Sequence, residues 1–109
     1  ERVVIGSRAG VLLCVDRRTG QERWRWRGGG MEGSPVVAGD RVVVGAQDGR
    51  LSVLDLTSGA VAWQFDLGSP IAATPAVADG WIVVAAEDGR VWAFAGSDGR
   101  GRRSGAARP

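Results

Sequence analysis

Residues 35–54, PVVAGDRVVVGAQDGRLSVL, decide the fold because the same pattern returns forty positions later. Residues 75–94 read PAVADGWIVVAAEDGRVWAF, and nine of the twenty aligned positions carry identical residues. Both stretches place a valine-rich run before the shared triplet Asp-Gly-Arg. Repetition at a fixed period of this length predicts one structural unit used more than once.

A second register, at an offset of thirty-nine residues, extends the repeat toward the start of the chain. It aligns Asp16 with Asp55 and Trp24 with Trp63. The chain therefore contains about two and two-thirds copies of one unit. The other identical pairs in this register are Arg2 and Arg41, Val3 and Val42, Val4 and Val43, Gly6 and Gly45, Gly10 and Gly49, Leu12 and Leu51, and Gly20 and Gly59.

Each unit predicts four short strands, because apolar and β-branched runs alternate with turn-forming pairs every eight to ten residues. The turn pairs of the central copy are Gly39-Asp40, Asp48-Gly49 and Ser58-Gly59, which suit tight hairpins. No helical periodicity is present. Four antiparallel strands repeating at about forty residues indicate an all-β chain of β-propeller blades, here a partial propeller. The strands predicted for the central copy are residues 34–38, 41–45, 50–55 and 60–66.

The repeats divide the chain into four parts. Residues 1–27 are predicted to be a partial blade with the last three strands, and residues 28–66 a complete blade. Residues 67–99 are predicted to be a blade with a degenerate last strand, because Arg103 stands where the repeat calls for tryptophan. Residues 100–109 have the composition of a flexible, arginine-rich tail. We expect the chain to belong to a longer protein, since it does not begin with methionine and a blade needs neighbours to bury its faces.

The stretch RWRWR, residues 23–27, would suit a membrane-active or nucleic-acid-binding peptide if it stood alone. The repeat argues otherwise. Trp24 and Trp26 align with Trp63 and Phe65, whereas the arginines align with unrelated residues. Because alternate side chains of a strand point to opposite faces, the aromatic face is predicted to pack against a neighbouring sheet.

Two nine-residue segments repeat a turn in front of each tryptophan, DRRTGQERW and DLTSGAVAW. An aspartate can accept backbone hydrogen bonds within such a turn, and a glycine can adopt its left-handed conformation. A catalytic role for this carboxylate and hydroxyl is less favoured, because a single active site needs no copies. The predicted structural residues are Asp16, Thr19, Gly20 and Trp24 in the first copy, and Asp55, Ser58, Gly59 and Trp63 in the second.

These segments resemble the tryptophan-docking motif of the pyrroloquinoline-quinone-type (PQQ-like) repeat β-propellers, Ala-x-Asp-x-x-(Thr/Ser)-Gly-x-x-x-Trp. The similarity includes residues 14–24 and 53–63, and extends over about residues 2–99. Cys14 and Val53 depart from the motif, because they replace its alanine. The resemblance implies a propeller fold and leaves the activity open.

Two classes of function follow from the resemblance. The family includes quinoprotein alcohol and glucose dehydrogenases, which hold PQQ and calcium. It also includes non-catalytic scaffold lipoproteins of outer-membrane assembly and sensing domains joined to kinases. The chain has one cysteine, no vicinal cysteine pair and no asparagine, and its turn acids are typical turn formers. We therefore expect a non-catalytic protein-binding, scaffolding or ligand-sensing module without a cofactor, with PQQ and calcium only under the dehydrogenase alternative. The turn acids are Asp40, Asp48, Asp79, Glu87 and Asp88.

Charge and hydropathy bear on the partners. The positive charge comes from the end of the chain: residues 1–99 carry ten arginines against twelve acids, a net charge of −2, and the four arginines of residues 100–109 bring the total to +2. We therefore expect no nucleic-acid partner; binding of nucleic acid or anionic lipid by the tail is the alternative, and it predicts steep salt dependence. No apolar run reaches the length of about 18 residues that a membrane span needs.

Residues 28–33 and 68–73, the connections between blades, are the candidate loops for a protein partner, although plain linkers would have the same composition. The other expected partners are the remaining blades of a longer chain, or further copies of this one. The family resemblance implies an extracytoplasmic setting in a bacterium.

Overall fold

A computed structural model describes residues 2–95 and, for the backbone alone, residues 102–107. All regular structure in this part of the chain is β, arranged as three antiparallel sheets. Sheet 1 contains β1 (Arg2–Gly6), β2 (Val11–Asp16) and β3 (Glu22–Arg27). Sheet 2 contains β4 (Val36–Ala38), β5 (Arg41–Gly45), β6 (Arg50–Asp55) and β7 (Val61–Asp66). Sheet 3 contains β8 (Ala76–Ala78), β9 (Trp81–Ala85), β10 (Val91–Ala95) and β11 (Arg102–Ala107).

Each sheet is a meander in which neighbours along the chain are neighbours in the sheet. The structure confirms the all-β fold and the blade-like repeat, and the predicted second and third strands of the central copy match β5 and β6 residue for residue. The first and last strands begin later than predicted, at Val36 and Val61. Pro35 has no amide hydrogen to donate to a ladder, which explains the later start of β4.

The end of sheet 3 corrects the prediction of a flexible tail over residues 100–109. The segment Arg102–Ala107 instead forms β11, antiparallel to β10, with Phe94 opposite Arg103. Sequence reasoning missed this strand because its residues have low β-propensity and lack the repeat's tryptophan. A strand at a sheet edge can form through its backbone ladder alone, since every peptide unit carries a donor and an acceptor. The rest of the predicted tail lies outside the described residues.

The three sheets pack face to face through two separate apolar clusters. The first lies between sheets 1 and 2 and the second between sheets 2 and 3, so sheet 2 is covered on both faces. Period-two alternation explains this arrangement: Val42 and Leu54 point to sheet 1, whereas Val43 and Val53 point to sheet 3. The first cluster consists of Leu12, Cys14, Trp24, Met31, Val42, Val44 and Leu54. The second consists of Val43, Leu51, Val53, Leu67, Ile71, Ile82, Val84, Ala86, Trp92 and Phe94.

The connections between sheets contribute to these clusters. Met31 and Ile71, at equivalent places in the two linkers, are both buried. Each covers a glycine of the sheet that precedes it in the chain, Gly6 at the end of β1 or Gly45 at the end of β5. A Cβ on Gly6 would lie 2.9 Å from the Met31 sulfur, and one on Gly45 would lie 2.5 Å from Ile71 Cγ2. The candidate contact loops therefore each contain an internal anchor, and only their other residues can face a partner.

The Ile71 anchor has a measurable energetic consequence. Ile71→Ala is expected to lower the free energy of unfolding by about 2 to 3 kcal/mol, because it leaves a cavity in the second cluster. Pro70→Ala, at the exposed neighbouring position, is the control and is expected to lower it by less than about 1 kcal/mol, the effect of removing a proline from the unfolded chain. Urea denaturation of both variants measures this difference. Equal, small losses in the free energy of unfolding of the two variants would show that Ile71 does not anchor the linker.

Candidate functional site

The two repeated turns have the same internal geometry. Asp16 Oδ1 accepts hydrogen bonds from the amides of Arg18 at 2.8 Å and Thr19 at 3.1 Å, and Thr19 Oγ1 accepts one from Gln21 N at 3.2 Å. Gly20 takes the left-handed conformation with φ of 75°. The aspartate thus satisfies two turn amides at once, and the glycine adopts the positive φ that lets the chain return as β3.

The second turn repeats these contacts. Asp55 Oδ1 accepts hydrogen bonds from Thr57 N at 2.8 Å and Ser58 N at 3.1 Å, and Ser58 Oγ accepts one from Ala60 N at 3.2 Å. Gly59 has φ of 78°. All six polar and glycine residues singled out in the sequence therefore lie in two superimposable turns.

Hydrogen bonding in the turns lowers the pKa of both aspartates. For Asp16 the main cause is the backbone amide of Arg18, followed by that of Thr19, and the nearby Arg23 adds to the effect. For Asp55 the backbone amide of Ser58 lowers the pKa most, followed by that of Thr57, and Arg41 contributes as well. Donors that point at a carboxylate favour its ionised form, so each turn is most stable when its aspartate is charged.

This shift predicts the pH dependence of an Asp55→Ala variant. Because the pKa is lower in the folded state, the ionised carboxylate stabilises the fold above about pH 4, and this contribution is lost as the pH falls through the folded pKa. The variant should be less stable than the unmodified protein at pH 7, and the gap should narrow below pH 4. Chemical denaturation at several pH values measures the gap. A gap that stays constant from pH 7 to pH 2.5 would contradict this assignment.

Trp24 joins sheet 1 to the turn of sheet 2. Its indole Nε1 donates a 2.7 Å hydrogen bond to the carbonyl oxygen of Leu56, inside the second turn. The ring also lies against Gly59, where an added Cβ would be 2.6 Å from Trp24 Cδ2. Only 8% of Trp24 is exposed. The tryptophan of one repeat is therefore held by the turn of the following repeat.

Gly20 and Trp63 occupy the places of Gly59 and Trp24 in the other copies of the repeat, but neither makes the same contact among the described residues. A Cβ added to Gly20 would meet nothing within 4 Å, so no described tryptophan rests on the first turn. Trp63 is half-buried and packs on Phe94, with ring centroids 5.4 Å apart. Its Nε1 has no hydrogen-bond partner among the described residues, and the turn that would follow in the third repeat, residues 95–99, is largely outside them.

The arginines around Trp24 and Trp26 face mainly outward and form local pairs. Arg23 lies 3.3 Å from Asp16, and Arg25 lies 2.9 Å from Glu22. Both tryptophans belong to the first apolar cluster or pack against it, which confirms the prediction that the aromatic face is buried. Exposed ion pairs of this kind add little stability, so the indoles are the main contribution of this stretch.

The described residues do not offer a fitting site for calcium. Among residues 2–95, no three acidic or cysteine side chains come together as a set of metal ligands. Calcium requires about six to eight oxygens, whereas Asp48 and Asp88 each accept a hydrogen bond from an amide two residues further on. The described part of the chain also contains no helix long and apolar enough to cross a membrane.

Sequence reasoning missed a cleft between the outer parts of sheets 1 and 2. Its volume is about 220 Å³. The residues that line it are Trp26, Arg27, Gly28, Gly29, Ala46, Asp48, Arg50, Ser52, Val61 and Gln64. The available signal was the serine at position 52, which is polar in a column that is otherwise apolar: the aligned residues are Leu13 and Trp92.

Comparison with known proteins agrees with this geometry. A crystal structure of BamB from Moraxella catarrhalis superimposes with a TM-score of 0.85 at 30% sequence identity, over 98% of this chain and 33% of that one. The quinohemoprotein alcohol dehydrogenase of Comamonas testosteroni superimposes with a TM-score of 0.83 over 98% of this chain and 19% of that one. At 21% identity, the latter comparison shows a shared fold alone.

Sequence comparison identifies the family. The outer membrane protein assembly factor BamB of Shewanella oneidensis is 33% identical over 70 residues, which are 63% of this chain and 18% of that protein. The chain thus spans about a fifth of that relative and a third of the Moraxella structure. The family model described as outer membrane protein assembly factor BamB matches residues 8–102. The chain therefore belongs to this family of PQQ-like repeat propellers.

Proposed function

We propose that the chain is a non-catalytic part of a β-propeller that binds protein and acts as a scaffold in outer membrane protein assembly. The observation that supports this most strongly is the family match over residues 8–102, together with 30% identity to a BamB of known structure. The mechanism is simple: rigid sheets hold surface loops in fixed positions, and those loops make the contacts.

The Trp24 contact supplies the rigidity that such a scaffold needs. We propose that it is the tryptophan-docking interaction of the family, because it combines a buried indole, a hydrogen bond to Leu56 and a close approach to Gly59. A buried aromatic side chain with its polar group satisfied stabilises a sheet interface strongly. Each sheet would then be oriented by the turn of the next one.

The outer faces of the first and third sheets are the places where further blades would pack. On sheet 1, Val3 and Ile5 are exposed, Ile5 by 53%, and on sheet 3 Trp81 and Val83 are exposed. These positions are the repeat equivalents of residues that are buried or partly buried in sheet 2, such as Val42, Val43 and Val44. We propose that remaining blades of a longer chain, or a second copy, cover both faces.

The alternative, part of a PQQ-dependent alcohol or sugar dehydrogenase, has the shared fold in its favour. A fold of this kind is used for several activities, so the shared architecture does not carry the activity with it. The described acids and the single cysteine do not form a fitting calcium site, and no step of a dehydrogenase reaction can be placed on them. We therefore propose that this segment binds no cofactor.

The family description supports an extracytoplasmic location, next to the outer membrane of a bacterium, as part of the same proposal. Protein contacts would be made by exposed linker residues such as Glu32, which lies beside the buried anchor Met31. No nucleic acid is required by this proposal.

Photo-crosslinking in the bacterium that makes the intact protein tests the proposal. A photoreactive amino acid at Glu32 should give crosslinks to proteins that assemble outer membrane proteins. The same amino acid at Ile5, on the free face of sheet 1, should give crosslinks within the polypeptide or to a second copy. Retention of PQQ by the purified protein in the presence of calcium, without any crosslink from Glu32 to another protein, would favour the dehydrogenase instead.

A further inference from the structure

The cleft between the outer parts of sheets 1 and 2 carries more positive than negative charge. Of the residues that line it, Arg27 and Arg50 are cationic and Asp48 is acidic. Neither of these arginines forms an ion pair with a residue that the structure describes, whereas Arg25 on the same strand pairs with Glu22 at 2.9 Å. The cleft therefore presents two guanidinium groups whose charge no contact within the described protein neutralises.

The acid of the cleft is turned toward the linker instead of toward a guanidinium group. Asp48 Oδ1 accepts a 3.0 Å hydrogen bond from the backbone amide of Arg50. A Cβ added to Gly29 would lie 2.6 Å from Asp48 Cγ, so the carboxylate lies against the linker backbone. One repeat later, the equivalent Asp88 lies 3.9 Å from the guanidinium of Arg90. The guanidinium of Arg50 therefore remains available to an anion from outside.

The equivalent place between sheets 2 and 3 has the opposite charge. Arg27, at the end of β3, aligns with Asp66, at the end of β7. The backbone supports this alignment, because the next amide after each of them donates a 2.8 Å hydrogen bond to a turn glycine of its own sheet, Gly10 or Gly49. With Asp88, the equivalents of the three charged residues are two acids and one arginine. The excess of positive charge is therefore particular to the first cleft and is no general property of the repeat.

The charges and the walls of the cleft define the class of ligand. Two arginines and one aspartate leave one positive charge in excess, which a carboxylate balances, whereas a phosphate dianion would exceed it. Guanidinium groups bind carboxylates through short, charge-assisted hydrogen bonds. Trp26 and Val61 add apolar surface. The volume of about 220 Å³ is larger than the cavity of about 150 Å³ that holds benzene, so one aromatic ring fits beside the carboxylate.

We propose that the cleft binds a small aromatic monocarboxylate, whose carboxylate is held by Arg27 and Arg50 and whose ring packs on Trp26. Both arginines are exposed, so the ligand reaches them from solvent and makes no use of the buried Ser52. Asp48 disfavours a second negative charge on the ligand. This inference does not depend on the proposed role in outer membrane protein assembly, since it rests on the charges of the cleft and on the repeat.

Titration of the 109-residue chain with benzoate, followed by nuclear magnetic resonance of the indole N–H groups, tests the proposal. The Trp26 resonance should shift in a saturable manner, with a Kd in the millimolar range expected of a fragment-sized ligand. Benzamide is the matched ligand, since it has a similar shape and no charge. It should bind at least about tenfold more weakly, because it loses the charge-assisted hydrogen bonds.

Three variants locate the binding site. Arg27→Gln and Arg50→Gln should each weaken benzoate binding about tenfold, the effect of one hydrogen bond between charged groups. Arg27→Asp gives the cleft the charges of the other interface and should remove the saturable shift of Trp26. Arg25→Gln, on the same strand but outside the cleft, is the control and should change the Kd by less than about twofold, because an exposed charge at that distance is screened.

Circular dichroism of each variant establishes that it is folded before its Kd is compared. Three results would overturn the proposal: an absence of saturable binding, benzamide binding as tight as benzoate binding, or benzoate binding that survives Arg27→Asp in a folded protein. A loss of affinity in Arg25→Gln as large as that in Arg27→Gln would also overturn it, because it would show general attraction to the arginines of β3 instead of binding in the cleft.

Discussion

Gly59→Ala is expected to lower the free energy of unfolding by about 4 kcal/mol, the combined effect of backbone strain and overpacking. The backbone at this position has φ of 78°, which disfavours any residue with a Cβ. The new methyl group would also lie 2.6 Å from Trp24 Cδ2 and 2.8 Å from Trp24 Cγ. Relief of this contact requires the indole to move, which weakens its hydrogen bond to Leu56. Urea denaturation followed by circular dichroism measures the loss.

Gly20 provides the matched control for this substitution. It occupies the same place in the first turn with φ of 75°, and an added Cβ would meet nothing within 4 Å. Gly20→Ala should therefore cost only the backbone strain, about 1 to 2 kcal/mol. Equal losses for the two variants would show that Trp24 does not constrain Gly59.

Trp24→Ala is expected to lower the free energy of unfolding by about 4 kcal/mol, because it removes the largest side chain of the first cluster and leaves a cavity. The contribution of the indole N–H can be separated with Trp24→Phe. That variant keeps an aromatic ring but leaves the Leu56 carbonyl without this donor, which should cost about 1 to 2 kcal/mol. Thermal and urea denaturation of both variants measure these values.

Trp81→Ala is the control for the size of the residue. Trp81 is 41% exposed on the free face of sheet 3, so its removal should cost much less than removal of Trp24, about 1 kcal/mol or below. A loss as large as that of Trp24→Ala would mean that the free face of sheet 3 is covered in solution, by a second copy for example. Analytical ultracentrifugation of the same samples distinguishes that case.

Much of the fold could be read from the repeat because the physical signals were local. Period-two alternation and the Asp-Gly turns predict the bounds of β5 and β6 correctly. The aligned aromatic residues indicate which face of β3 is buried. The family assignment rests on the same residues, and the match over residues 8–102 confirms it. The tryptophan motif correctly predicts that Trp24 is a packing residue, but it does not indicate which residues Trp24 contacts.

The features that could not be predicted depend on contacts between repeats. That Met31 and Ile71 fill the space above Gly6 and Gly45 is a property of three-dimensional packing, although the two apolar residues stand out in their glycine-rich linkers. The strand Arg102–Ala107 depends on the ladder that β10 offers, which composition does not show. The cleft lined by Ser52 lies between two sheets, so no single strand of the sequence indicates it.

A double-mutant cycle between Trp24 and Gly59 tests most directly the claim that one repeat is held by the turn of the next. Four proteins with and without Trp24→Ala, and with and without Gly59→Ala, are compared by urea denaturation, with Gly20→Ala in both backgrounds as reference. We predict that Gly59→Ala costs about 2 kcal/mol more than Gly20→Ala when Trp24 is present, and that this excess disappears in the Trp24→Ala background. An excess that persists without Trp24 would contradict the account, because the strain at Gly59 would then have a cause other than the docked indole.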